Sequence, residues 1–404
     1  MPRSLSPQTI ALVKATVPAL EAHGLAITRR MYERMFQNEA IRDLFNQSHH
    51  GETGSQPKAL AVAVLAYARN IDNLGVLTAA VERIAQKHVG LNILAEHYPF
   101  VAEALLGAIG DVLGEAATPE ILAAWGEAYW FLADLLIGRE TQIYEEHARS
   151  PGGWTGWRDF TVQARTEESE IVTSFILVPS DGGPVLRHRP GQYLTFWLEI
   201  PGRPPLKRNY SISSAPGDTH YRITVKREPM GVASSWLHDA VQPGARLKVA
   251  APAGEFALEG RPERPVVLLS GGVGQTPLMS MLREIAAMRA SAPVQFIHGT
   301  LSGATHALGA EARALAAASA GRIAVTTFYE CPRPEDRQGQ DYDQAGRITL
   351  DWLRAHTPVG EADYYLCGPR EFLRVFAGGL VGLGVPAGRI HYEFFGPADE
   401  LLAA

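Results

Sequence analysis

Apolar residues recur at helical spacing through the first third of the chain. Leu60, Val64, Ala68 and Ile71 fall on one face, as do Val81, Ile84 and His88, and again Tyr98, Val101, Leu105 and Ile109. Ser6-Pro7 and Thr118-Pro119 read as helix starts, a hydroxyl cap followed by proline at the first helical position. The helix after Thr118 carries a stripe of Trp125, Tyr129, Ala133, Leu136, Glu140 and Tyr144. No alternating segment interrupts this stretch, so residues 1–148 read as an all-α domain. Ser150-Pro151-Gly152-Gly153 ends the pattern, and 149–156 reads as a linker. From 157 to 262 the period becomes two: segments 159–165, 171–178, 192–200 and 221–227 predict short strands of a small antiparallel β-barrel. From 263 to 404 strands (266–269, 294–298, 323–329, 364–367) alternate with helices (277–288 and the alanine-rich 310–320), which predicts an α/β doubly wound parallel sheet. The fold class is therefore multidomain.

Bulk properties narrow the partners. At 404 residues the chain exceeds one core and fits about two or three domains. Net charge is −6 with no basic block, which speaks against nucleic acid. Met1-Pro2-Arg3-Ser4-Leu5-Ser6 lacks the apolar run of a signal peptide. The most apolar early stretch, 59–68, stops at Arg69 and is too short for a membrane span of roughly 20 residues. Cys331 and Cys367 are the only cysteines, so no disulfide framework is implied. The expectation is a cytoplasmic monomer with no membrane span.

Four short motifs carry candidate chemistry. Gly271-Gly272-Val273-Gly274-Gln275-Thr276-Pro277 follows a buried strand and opens a helix, with Thr276 the expected N-cap and Pro277 the first helical residue. Glycines let backbone N–H groups approach an anion, and the helix N-terminus adds partial positive charge. The third glycine of the dinucleotide fingerprint is missing, so the loop alone reads equally as a turn. Arg208-Asn209-Tyr210-Ser211 offers a guanidinium fork for phosphate, a flat ring for a flavin and a hydroxyl, against the plainer reading of a strand with a surface arginine. Gly231-Val232-Ala233-Ser234 opens an amphipathic helix whose start could hold a pyrophosphate. Cys367-Gly368-Pro369 follows a strand at the end where parallel sheets bind ligands.

In the helical part, His88 lies on an apolar face, where a histidine is more often a satisfied core residue than a ligand. Glu140 sits within an apolar stripe, where a bare carboxylate is costly unless partnered. Tyr98 begins another stripe. The three could satisfy one another, although periodicity does not bring them together.

Barrel, Arg-x-Tyr-Ser, glycine loop and Cys-Gly-Pro, in this order, resemble the ferredoxin–NADP reductase superfamily. The whole chain resembles the flavohaemoglobins through Tyr32-Glu33-Arg34-Met35-Phe36, Ile84-Ala85-Gln86-Lys87-His88, Gly152-Gly153-Trp154, Gly274-Gln275-Thr276-Pro277, His391-Tyr392-Glu393 and Phe395-Gly396-Pro397. That resemblance implies haem b in a globin, FAD on the barrel and NAD(P)H on the sheet. It makes His88 the iron ligand, with Tyr98 and Glu140 behind it. Tyr32 and Gln56 become distal catalytic residues, Leu60 packs near the bound gas and Phe45 on the haem. Lys87 and Glu393 lie between haem and flavin. Tyr193, Arg208, Asn209, Tyr210 and Ser211 contact FAD, with Gly231 and Ser234 at its pyrophosphate and Phe394, Phe395, Gly396 and Pro397 near its ring. Gly272, Val273, Gly274, Gln275, Thr276 and Pro277, with Cys367, Gly368 and Pro369, hold the nicotinamide nucleotide. The implied reaction converts nitric oxide and O2 to nitrate at a haem re-reduced through FAD. The alternatives are an NAD(P)H oxidase or peroxide or quinone reductase built on the same residues, or a globin that binds gas or a lipid in its distal pocket. The attached reductase speaks against pure binding.

Overall fold

The computed structural model describes residues 4–44, 55–288 and 291–396. The first domain is built from α1 Pro7–Ala15, α2 Val17–Met35, α3 Glu39–Arg42, α4 Ser55–Arg69, α5 Thr78–Gly90, α6 Tyr98–Leu113 and α7 Pro119–Arg149. α1 and α7 start as the sequence predicts. Ser6 Oγ accepts the Thr9 N–H at 3.0 Å and Thr118 Oγ1 the Ile121 N–H at 3.4 Å, each with a proline in the first turn. By length and composition α7 could cross a membrane. In this fold Ala124, Trp125, Ala128, Ala133, Leu136 and Ile143 of that helix are buried within the helical domain, and so is Glu140.

The helical domain holds two apolar clusters where one contiguous core is usual. The first gathers Ile27, Met31, Tyr32, Tyr67, Leu105 and Trp125; the second gathers Ala85, Val89, Tyr98, Leu136 and Ile143. Leu44, Tyr129 and Leu132 are partly buried against both. Leu60 and Val64 edge the first cluster, Val81 and Ile84 the second. These four side chains are left half-buried, apolar surface that an apolar ligand could cover.

The second domain is an antiparallel six-stranded sheet in the order β4-β3-β6-β1-β2-β5. Its strands are β1 Arg158–Ser169, β2 Val172–Pro179, β3 Tyr193–Leu198, β4 Leu206–Ser211, β5 Tyr221–Lys226 and β6 Arg246–Val249, with α8 Val232–Ala240 before β6. A bridge from Ile212 to Ile223 joins the end of β4 to β5 and curls the sheet toward a barrel. β4 and β6 lie outside the predicted strands. β6 has four residues, and β4 carries the polar run Lys207-Arg208-Asn209, which hides its two-residue period.

The third domain alternates β7 Val266–Gly271, α9 Gln275–Met288, β8 Val294–Thr300, α10 Gly309–Ala317, β9 Ile323–Tyr329, β10 Gln344–Ala345, α11 Leu350–His356, β11 Asp363–Cys367, α12 Arg370–Gly382 and β12 Ile390–Glu393. All pairings are parallel, in the order β10-β9-β8-β7-β11-β12. β7 is buried along its whole length, as a strand covered on both faces must be. The order reverses between β7 and β11, so the loops after these two strands flank the crevice where such sheets bind ligands.

Behind that crevice His298 is 1 % exposed, bonds Ser270 Oγ through Nδ1 at 2.9 Å and stacks on His306. His306 Nδ1 reaches the Tyr329 hydroxyl at 2.9 Å. Burial holds both imidazoles neutral, His298 well below its ordinary value and His306 at about 4. Unfolded histidine titrates near 6.5, so the stability these residues contribute is present above about pH 6.5 and is lost as pH falls toward 4. Calorimetric unfolding should show Tm falling between pH 7 and 5. His306→Gln should make that slope shallower by up to about 1.4 kcal/mol per pH unit.

Candidate functional site

His88 lies in the last turn of α5, with Nδ1 2.7 Å from Glu140 Oε1 on α7 and 3.1 Å from the Tyr98 hydroxyl at the start of α6. Tyr98 donates to that same carboxylate oxygen at 2.6 Å. Glu140 is 2 % exposed, and this pair of donors is what makes a carboxylate tolerable there. Burial first, and the charge of Glu140 second, push the Tyr98 pKa far up, so the hydroxyl stays a donor. A carboxylate only accepts, so His88 carries its proton on Nδ1 and its lone pair on Nε2. The imidazole remains 30 % exposed. Two further tyrosines brace the backbone around it: Tyr129 donates to the Tyr98 carbonyl at 2.7 Å, and Tyr144 to the Ile93 carbonyl at 2.8 Å. The structure thus brings together the three residues that periodicity could not.

Tyr32 on α2 is buried in the other cluster, and its hydroxyl is hydrogen-bonded to Gln56 on α4. Burial drives the Tyr32 pKa up, which keeps that hydroxyl protonated. Leu60, one turn beyond Gln56, is partly buried against the same cluster. Phe45 and Pro397 lie outside the described residues.

The end of α5 meets the barrel. An added Cβ at Gly90 would stand 3.0 Å from Thr195 Oγ1 and 3.4 Å from the Tyr193 ring, so glycine is what lets the helix close on β3. Gln86 Oε1 accepts the buried Gly254 N–H at 3.2 Å, and Arg83 pairs with Glu255 at 2.9 Å. Glu393, at the end of β12, joins this group. Burial pushes its carboxyl up to about 7 and Glu255 adds to the rise, while Lys87 and Arg83 pull it down. Lys87 and Glu393 thus act on one another through their charges. The Tyr193 hydroxyl is buried among them without a partner, and Thr195 Oγ1 is likewise unpaired. Arg83, Gln86, Gly90 and Glu255 were not singled out in the sequence. Their only trace there is that Arg83, Gln86 and Gly90 follow at helical spacing along the helix of His88.

On β4, Arg208 and Tyr210 are partly buried, Ser211 is buried and Asn209 is exposed. Arg208 Nη1 donates to the Lys207 carbonyl at 2.7 Å, and Tyr210 packs edge-on to Phe196. Gly231 is the N-cap of α8, but the Ser234 hydroxyl is engaged locally, accepting from the Glu228 N–H at 3.1 Å. Met230 before it is 98 % exposed with φ 62°. Phe394 is partly buried on the core of the parallel sheet, Gly396 lies against its ring, and Phe395 is exposed.

One expectation for the glycine loop is corrected. Gly272–Gly274 form a 3-10 turn that winds directly into α9 at Gln275. Thr276 is therefore inside the first turn, where its hydroxyl donates back to the Val273 carbonyl at 3.1 Å, and it is not the N-cap. Pro277 is the third helical residue, a position whose N–H has no partner within the helix in any case. A Cβ on Gly274 would collide with the Cys367 carbonyl, so the loop and Cys367-Gly368-Pro369 are clasped together at the switch point. Beside them Gln275 Oε1 is buried without a partner, a polar atom aimed at the crevice of a nucleotide site.

Comparison with known proteins agrees with this division. The chain matches the globin family over residues 29–136, the oxidoreductase FAD-binding domain over 159–258 and the oxidoreductase NAD-binding domain over 268–377. It is 54% identical over 404 residues to a flavohemoprotein of Xylella fastidiosa, covering 100% of both chains. It is 46% identical to the flavohemoprotein of Deinococcus radiodurans, covering 98% of each. The flavohemoglobin of Malassezia yamatoensis, solved with FAD and heme bound, superposes with a TM-score of 0.85 at 28% identity, over 98% of this chain and 100% of that one. The FAD/NAD-binding part of a nitric oxide dioxygenase of Vibrio cholerae covers 59% of this chain and 99% of its own length, with a TM-score of 0.54 at 38% identity. The cofactors are thus haem, FAD and a nicotinamide nucleotide. For the last, Gly274→Ala should force the loop off the Cys367 turn and raise the KM for NADH at least about tenfold, read as anaerobic bleaching of the flavin, with the Soret band unchanged.

Proposed function

The chain belongs to the flavohaemoproteins, and from that premise we propose that it is an NAD(P)H-dependent nitric oxide dioxygenase, turning nitric oxide and O2 into nitrate in the cytoplasm. Haem supplies an iron for one-electron and oxygen chemistry, and FAD divides the two electrons of a hydride into single steps. The donor set suits both. An imidazole with a free Nε2, in a domain that leaves apolar side chains half-buried, suits haem iron, and unpaired buried hydroxyls on Tyr193 and Thr195 suit a polar ring at the barrel.

His88 would hold the iron through Nε2. Glu140, accepting the Nδ1 proton, makes the imidazole a stronger electron donor and fixes its plane. Tyr98 shares the same oxygen and so moderates the negative charge that His88 feels. On the other side, Tyr32, steadied by Gln56, offers a hydroxyl hydrogen to an electron-rich ligand. Lys87 and Glu393 line the approach from the flavin. The observation that carries the reading is the His88–Glu140–Tyr98 triad at the end of a helix that is itself packed on the barrel. A donor-strengthened histidine favours activation over storage, and a continuous electron supply is of no use to a carrier.

Purified holoprotein given NADH, O2 and nitric oxide should consume nitric oxide well above the uncatalysed rate and form nitrate in equal amount. Continued NADH oxidation without that loss would leave an oxidase and sink the dioxygenase. A second measurement addresses the triad. Glu140→Gln should retain haem, lower the iron–histidine stretching frequency and slow turnover by about tenfold or more. An unchanged frequency would remove the proposed role of Glu140.

A further inference from the structure

Lys207 precedes Arg208 on β4 and projects from the opposite face of the strand. It is 3 % exposed. Its ammonium donates to the Leu91 carbonyl at 3.0 Å and the Leu44 carbonyl at 3.2 Å, both in the helical domain. Leu91 is the C-cap of α5, just past His88. Trp157 and Trp197 of the barrel lie 5.4 Å and 5.3 Å from the charge. Among the described residues no carboxylate makes an ion pair with it, and Asp43 acts only through its field. Burial draws the ammonium down to about 8, so it is still mostly charged at neutral pH.

A buried ammonium held only by carbonyls and ring faces is costly, and an apolar side chain would fill the same space with less penalty. What the charge can do, and an apolar group cannot, is satisfy the carbonyls at the end of a helix, where the backbone carries partial negative charge. Among the described residues the ion pair across this seam is Arg83–Glu255, a third or more exposed on both sides and weakened by salt. The Lys207 contacts are shielded from salt. We propose that Lys207 is an interdomain C-cap, a positioning residue that docks the flavin barrel on the end of the His88 helix and so sets the geometry for electron transfer between the two cofactor sites. This rests on the electron route assumed in the proposed function.

The test is anaerobic stopped-flow mixing of NADH with holoprotein, following flavin bleaching and haem reduction separately, for the wild type and Lys207→Met. Flavin bleaching should be unchanged and the later haem step about tenfold slower. Hydrogen exchange, measured without turnover, should rise locally in residues 88–94 and not across the globin. Lys207→Arg, which keeps a cationic donor, should recover most of both effects. If Lys207→Met does not fold, Lys207→Gln replaces it and is read in the same way. A haem step as fast as the wild type's, equal slowing of both steps, or exchange that rises uniformly would each overturn the proposal. A wild type whose haem is never reduced by NADH would overturn the electron route instead, while the exchange result would still judge the cap.

Discussion

A carboxylate cannot be left bare inside a protein, and Glu140 is the point from which the helical domain is organised. Its Oε1 draws the Tyr98 hydroxyl and His88 Nδ1 to within 2.6 and 2.7 Å, which ties α5, α6 and α7 together at one atom. Tyr129 and Tyr144 then hold the carbonyls of Tyr98 and Ile93, so the backbone on either side of the turn after α5 is fixed as well. Each bond is worth only about 1–3 kcal/mol net, but removing the carboxylate would orphan two buried donors at once. The imidazole is thereby fixed through Nδ1 while the side chain stays partly exposed.

The same helix carries that order into the next domain. α5 ends two residues past His88, at a glycine that lets it touch β3, and beyond Gly90 the carbonyl of Leu91 is taken by a lysine of the barrel. Gln86, one turn before Gly90, reaches a backbone N–H of the barrel. A shift of α5 would therefore be felt both at the imidazole and at the seam. Glu393 arrives from the far end of the third domain and, with Lys87, Glu255 and Arg83, places charges of both signs at the partly exposed seam. Burial of the Glu393 carboxyl, with the charge of Glu255 added, outweighs the pull of the two cations and raises it to about 7.

Much of this was legible in the chain. Helical periodicity identified the stripes bearing Tyr98 and Glu140 because both lie on helices whose buried faces are long. Alternation found β1, β2, β3 and β5, and the glycine loop announced itself by following a wholly apolar strand. What stayed hidden had physical reasons. β6 and β12 are too short to show a period, and in β4 the polar run Lys207-Arg208-Asn209 masks the face that Leu206 and Tyr210 pack on the barrel. Thr276 read as a cap because a threonine before a proline usually is one; the 3-10 turn of Gly272–Gly274 moved the helix start to Gln275. Nothing in the local sequence singles out Lys207, since burial by another domain leaves no mark there.

The seam residues illustrate why a three-domain electron carrier can be read from its ends but not from its middle. A cofactor site needs residue types fixed by chemistry, such as a histidine for iron or glycines for a phosphate, and these stand out in a chain. A domain seam needs only that partners complement one another: a glycine against a tyrosine ring, a glutamine against an N–H, an ammonium against a carbonyl. None of these is unusual alone, and each acquires meaning only when the fold supplies its partner. On the proposed electron route, the distance between the two redox groups is set by such ordinary residues. The rate at which electrons pass thus depends most on the part of the molecule that its sequence describes least.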